Sequence, residues 1–191
     1  MAEPVTDPPN SATRSGLVKA HAREIGFDLC GVTGPQLPVA FARYREAMEA
    51  GYGADMAWLQ ERPELRSDVR VVHPAARSVV ALGVSYATDT PGYLEQPPSA
   101  DEGWIARYAM GRDYHAHIRK MLVRLVRRFQ DDPALGYRSV EHRVFVDTGP
   151  VLEKAFAQAA GIGWVGKNTL LIDRGLGSWV FLAVVLTPLD L

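Results

Sequence analysis

Apolar positions recur along the chain either at helical spacing or as short unbroken runs, and the alternation of the two lays out the elements. The spacing of Leu17, Val18, His21, Ala22 and Ile25 predicts a first helix, with Ser11 or Thr13 available as its cap and Gly26 just past its end. Residues 27–32 read as a short buried strand closed by the turn Thr33-Gly34-Pro35. Pro38 suits the first turn of a second helix whose face is Phe41, Tyr44 and Met48, with Gly51 ending it. Residues 52–74 are irregular apart from one short helix through Ala57, Trp58 and Leu59. Residues 78–85 are apolar at successive rather than alternate positions, as expected of a central strand covered on both faces.

Further along, residues 87–103 collect Pro91, Pro97 and Pro98 and read as a surface loop. Ile118, Met121, Leu122, Leu125, Val126 and Phe129 then form the clearest amphipathic helix, which Asp113 can cap. Val144, Phe145 and Val146 make another short strand, followed by Asp-Thr-Gly-Pro and a helix over 151–160. Two β segments, 169–172 and 178–187, close the pattern. Helices and strands interleave without an internal repeat, which predicts an α/β or α+β sandwich. Residues 1–12, rich in proline and polar types, are expected to be a loose tail, leaving 13–191 as one domain.

Composition removes several classes. A single cysteine, Cys30, leaves no disulfide and no cysteine-held iron-sulfur or zinc site within this polypeptide, since such clusters need about four ligands. Within its apolar run Cys30 reads as a small buried hydrophobe. A formal net charge of −1 provides no global basic field, so a nucleic acid would have to be met by a local patch. No apolar stretch approaches the ~18 residues of a membrane span, and the first residues lack the pattern of a secretory signal, so a cytoplasmic protein without a membrane partner is expected.

Three segments hold candidate chemistry. Asp147 leaves an apolar strand just ahead of a helix that accepts Pro150, a place where open sheets form ligand crevices and a catalytic acid can stand. The plainer reading is that Asp147 or Thr148 caps that helix, where the helix dipole would work against a proton donor. Residues 161–169 put three glycines, Lys167 and Asn168 in one loop able to approach a large ligand, with a helix end and tight turn as the plain alternative. This is no P-loop, because Asn168 follows Lys167 where Ser or Thr belongs. Residues 107–115 combine Arg107, Tyr108, Arg112, Asp113, Tyr114 and His115. His115 and His117 are two residues apart and point to different sides of a helix, which argues against a shared metal. The polar face of that helix, Arg119, Lys120, Arg124, Arg127 and Arg128, reads as solvated or, alternatively, as a patch contacting an RNA backbone.

Taken in order, these segments resemble the N-terminal domain of the epoxyqueuosine reductases. The carrying motifs are Ile25-Gly26-Phe27-Asp28 with Gly31-Val32, Met56-Ala57-Trp58-Leu59 with Arg66 and Arg70, and Arg107-Tyr108-Ala109-Met110-Gly111-Arg112-Asp113-Tyr114-His115. They continue through Val146-Asp147-Thr148-Gly149-Pro150-Val151-Leu152-Glu153, residues 161–172, and Gly177-Ser178-Trp179-Val180-Phe181-Leu182. The resemblance implies a nitroreductase-like α+β sandwich binding cobalamin base-off. In that family the cob(I)alamin state attacks epoxyqueuosine at the wobble position of tRNA, yielding queuosine.

It also implies that Asp147 is the proton donor, shielded from water by the corrin. It would place Arg70, Tyr108, Ala109, Met110, Lys167, Asn168, Thr169, Leu171, Ser178, Leu182 and Val185 around the cofactor. Family members continue into a domain holding two 4Fe-4S clusters, for which this chain has no ligands, so electrons must come from a donor protein or from a downstream iron-sulfur domain. Two other functions remain open from the residues: a non-catalytic module that docks tRNA or a partner, and a flavin-dependent oxidoreductase on a related fold.

Overall fold

The computed structural model describes residues 10–87, 99–135 and 141–191. Residues 1–9 and most of the proline-rich loop expected at 87–103 lie outside that range. Helix α1 (Ser11–Ile25) begins inside the stretch expected to be a tail. Its cap is Asn10, whose side chain accepts a 2.9 Å hydrogen bond from the Thr13 N–H, so Ser11 and Thr13 sit within the helix instead of capping it. Gly26, at φ 107°, closes the helix with its N–H on the Ala22 and Arg23 carbonyls, a left-handed conformation that glycine alone adopts freely.

Four strands form one sheet in the order β1 (Leu29–Thr33), β2 (Ser78–Ser85), β6 (Val180–Thr187), β3 (Arg143–Phe145), and every neighbouring pair is antiparallel. Val80 pairs with Val185 and Leu82 with Ala183, and these side chains face α1 and α6 (Tyr114–Asp131). Val79 pairs with Leu186 and Ala81 with Val184, and these face α7 (Glu153–Ala159) on the other side. With both faces covered, β2 can be apolar without alternation, as its sequence predicts. The fold is therefore an α+β sandwich. Its larger core holds Val18, Ala22, Leu122, Leu125 and Phe129 against the sheet.

Local departures from the sequence pattern have identifiable causes. Instead of one short helix, residues 52–74 hold three of four residues each: α3 (Ala57–Gln60), α4 (Glu64–Ser67) and α5 (Val69–Val72). Such single turns bury too few side chains to leave a periodic signature. Likewise β4 (Trp164–Val165), inside the segment read as a glycine loop, pairs in a hairpin with β5 (Leu171–Ile172), which lies in the β segment expected at 169–172. The second helix, α2 (Pro38–Glu49), starts on Pro38 as predicted. Asp113 caps α6 by accepting the His115 N–H, also as predicted.

Candidate functional site

The loop after β3 is clamped at both ends. Val146 is buried in the α1/α6 core, whereas Val151 is buried in the cluster on the opposite side of the sheet. Between them the chain doubles over the Phe145 ring, closely enough that a Cβ on Gly149 would overlap it. At Asp147 the backbone reaches φ 59°, and the Thr148 N–H bonds back to the Val146 carbonyl at 2.6 Å, closing a three-residue turn. A non-glycine residue held at positive φ costs free energy that the surrounding structure must offset, and such strain gathers at functional sites.

Asp147 caps no helix. Helix α7 begins six residues later, at Glu153, with Leu152 in the cap position and no side-chain cap bond. The objection from a helix dipole therefore falls away. Nor does Asp147 stand at the crevice of a parallel sheet, as the sequence suggests; it projects from the end of an antiparallel edge strand.

Two residues from the start of α6 hold the carboxylate. The Tyr114 hydroxyl donates to Asp147 Oδ2 at 2.7 Å, and His115 Nε2 lies 3.7 Å from the same oxygen. Asp113 in turn fixes the His115 ring through Nδ1 at 2.9 Å. Burial first, then the bond to Asp147, raises the Tyr114 phenol well above its ordinary value, so it remains a donor at all physiological pH. The Tyr114 ring stacks on Phe181 at 4.0 Å and 6°, and Tyr86 packs on Phe181 at 4.4 Å. Arg107 lies over the Trp179 ring at 4.3 Å. An aromatic wall thus runs from Trp179 to the carboxylate, built from the alternate residues Trp179 and Phe181 at the entry to β6 with Tyr86 and Tyr114 packed on them.

The Asp147 side chain is 67% exposed and stands where three depressions meet. One of about 350 Å³ is lined by Tyr86, Tyr108, Leu170, Phe181 and Leu182. The others, about 660 and 770 Å³, share Trp58 and Arg66. Tyr108, Met110, Trp58 and Leu170 are each more than 40% exposed around them, an apolar patch of the kind that marks a ligand surface. Glu153 lies in the wall of two of the three, with Oε1 buried and lacking a hydrogen-bond partner among the described residues. Burial raises its carboxyl to about 7. Apolar ground and an orphaned acceptor suit a broad, flat ligand with apolar faces and an amide fringe, which a corrin is.

Of the residues expected around a cofactor, the structure brings Tyr108, Thr169 and Leu182 to the depressions that Asp147 lines, with Met110 in a smaller one adjoining. Ala109 is exposed beside Tyr108 in a single 3-10 turn. Val185 does not belong there: it has no exposed surface and faces α1 and α6 inside the core. Leu171 is buried beneath the hairpin and offers no side chain. Arg70 is held on Asp68 by bonds of 2.6 to 3.0 Å and does not line these depressions; Arg43, Arg62 and Arg66 do, and of these Arg66 is shared by the two larger ones. Lys167 and Asn168 sit at the tip of the β4–β5 hairpin, and Ser178 sits just before β6, all outside these linings. Lys154 donates to the Thr169 carbonyl at 2.9 Å, fixing the hairpin against α7.

Sequence reasoning gave no role to Glu153, Phe181, Tyr86 or Lys154, and held Tyr114 only as one member of the 107–115 segment. Tyr114 was legible in principle, because a cap at Asp113 fixes the next residue at the start of the helix. Among the described residues no group of three or more His, Cys, Asp or Glu is arranged to hold a metal ion. Burial raises the Cys30 thiol to about 11, so it stays protonated and unreactive.

Comparison with known proteins narrows the class in two steps. By fold, the chain resembles solved reductases: a Streptococcus thermophilus epoxyqueuosine reductase at TM-score 0.78 and 26% identity, over 92% of this chain and 46% of that one. A crystal structure of epoxyqueuosine reductase with an epoxyqueuosine-modified tRNA-Tyr stem loop matches at TM-score 0.81 and 25% identity, over 95% of this chain and 47% of that one.

By sequence, residues 66–148 match the family described as epoxyqueuosine reductase QueG, DUF1730. Curated epoxyqueuosine reductases of Xanthomonas campestris and Gloeobacter violaceus are 39% and 40% identical, covering 97% and 94% of this chain. The chain belongs to the epoxyqueuosine reductase family and carries its DUF1730 domain. It spans about half the length of those curated relatives, 50% and 54%.

Proposed function

We propose that this chain is the cobalamin-binding unit of a reductase that converts epoxyqueuosine to queuosine at the wobble position of tRNA, with Asp147 as the proton donor. The observation that carries the reading is the placement of Asp147: strained, held by Tyr114, and central to a cleft in a chain of this family. Removing the epoxide oxygen as water consumes two electrons and two protons. When bound, cobalamin supplies the reducing nucleophile for that step.

Tyr108, Met110, Leu170, Phe181 and Leu182 would face the corrin, and Glu153 would meet one of its amides. Oδ2 of Asp147 is taken by Tyr114, which leaves Oδ1 to carry the proton and pass it to the departing oxygen. The aromatic wall excludes water from one side of that transfer. Electrons come from outside these residues, through a donor protein or an iron-sulfur domain. A tRNA substrate puts the activity in the cytoplasm, and no helix among the described residues is long and apolar enough to cross a membrane.

The test is Asp147→Asn. The variant is expected to bind cobalamin with an unchanged corrin absorption spectrum yet lose turnover at least about a thousandfold when supplied with reductant and epoxyqueuosine RNA. A variant that still turns over, or a wild-type chain that binds no corrin at micromolar concentrations, overturns the reading.

A further inference from the structure

Charge is segregated between the layers of the sandwich. Helices α1 and α6, which cover one face of the sheet, carry Arg14, Lys19, Arg23, Arg119, Lys120, Arg124, Arg127 and Arg128 against only Glu24 and Asp131. The whole chain is nonetheless at −1, so the rest of the molecule is acidic. Within α6, Lys120, Arg124 and Arg127 follow i, i+4, i+7 and form one exposed stripe opposite the buried Ile118, Leu122, Leu125 and Phe129. Among the described residues no carboxylate lies within ion-pair distance of Arg119, Lys120, Arg124 or Arg127; Arg128 stands 4.0 Å from Glu24. Cations that folding leaves unpaired on one face repel one another, and an external polyanion relieves that repulsion.

We propose that this face is a docking surface for the phosphate backbone of RNA flanking the nucleotide that reaches Asp147. The inference rests on the RNA reading above and adds where the RNA lies. Two features favour nucleic acid over an acidic protein. Six of the eight cations are arginines, whose planar donors fit phosphate bidentately. The only large apolar side chain exposed along α6 is Val123, so the face lacks the apolar or aromatic anchor around which protein interfaces are built. Backbone contacts of this type position a nucleic acid without reading its sequence. The helix also sets the distance: its first turn touches Asp147 through Tyr114 and His115, and the stripe begins one to two turns further on.

The experiment measures binding of a fluorescent RNA stem-loop, bearing no modified base and with no cofactor present, to the full chain over a series of salt concentrations. The comparison is with Lys120→Glu/Arg124→Glu/Arg127→Glu and with the milder Lys120→Gln/Arg124→Gln/Arg127→Gln, which keeps the helix should charge reversal unfold it. Loss of three phosphate contacts is expected to flatten the slope of log affinity against log salt by about two to three. Binding at low salt should weaken at least about tenfold. The same slope in the glutamine variant and the wild type, or no binding of the hairpin by the wild type at any salt, overturns the proposal. Corrin binding and the Asp147→Asn result are read separately, so a failed docking surface leaves the reaction testable, and a failed reaction leaves the salt slope standing.

Discussion

At the scale of single residues the site is organised around which oxygen of Asp147 is free. Tyr114 occupies Oδ2, and its ring is locked in turn between Phe181 and His115. Tyr114→Phe keeps the stack and removes only the hydrogen bond. A bond to an ionisable partner is worth roughly 1.5 to 3 kcal/mol, so losing it while the ring stays in place misorients the carboxyl without unfolding the protein. The expected outcome is a kcat reduced by roughly tenfold to a hundredfold, with KM and corrin absorption unchanged and the melting temperature lowered by only a few degrees. A fall in melting temperature with kcat intact would instead mark Tyr114 as a core residue.

At the scale of elements, two glycines separate function from stability. Gly149 lies against the Phe145 ring within the Asp147 loop, whereas Gly31 of β1 lies against the Ala160 carbonyl and Ile162 under the sheet. Either can accept a Cβ only if something moves. Gly149→Ala shifts a short exposed loop, and an ångström of displacement at a reacting group can cost about a hundredfold in rate. Gly31→Ala overpacks the interior at roughly 1 to 3 kcal/mol, a drop of roughly 3 to 10 °C in a chain of this size. Activity assays and thermal melts on the two variants should therefore give opposite rankings.

The same contrast explains what could be read from the chain. The runs at β2 and α6 are long and their burial is set by regular periods, so their positions follow from pattern alone. The Asp147 motif was likewise visible as a loop after an apolar strand. Its three-residue turn, the β4–β5 hairpin and the approach of Tyr114 depend on contacts between distant segments. A period in one segment carries no trace of such contacts. Val185 illustrates the limit: the neighbours of a strand residue alternate between faces, and the choice of face is made by the helices packed outside it.

At the scale of the whole molecule, two buried ionisable groups lie on opposite sides of the sheet and oppose each other in pH dependence. Glu153, facing Asp147, Arg66 and Lys154, is raised by burial from 4.5 to about 7. Its contribution to stability is fully present below pH 4.5 and is lost as pH rises to 7. His142, packed against Phe129 and close to His73, is lowered by burial from 6.5 to about 4, and neither ring nitrogen has a hydrogen-bond partner among the described residues. Its contribution is present above pH 6.5 and is lost as pH falls to 4. Each shift corresponds to about 3 kcal/mol across its window.

Between pH 4.5 and 6.5 the two slopes have opposite sign and similar size. The wild-type chain should therefore show little change in stability there, whereas Glu153→Gln should lose about 3 kcal/mol on going from pH 6.5 to 4. His142→Phe should show the reverse, gaining stability as pH falls from 7 to 4.5. Urea unfolding of the three proteins across that range reads the slopes directly. A Glu153→Gln profile as flat as the wild type would mean that Glu153 is ionised and solvated in the free protein, and would remove the neutral carboxyl from the wall of the cleft.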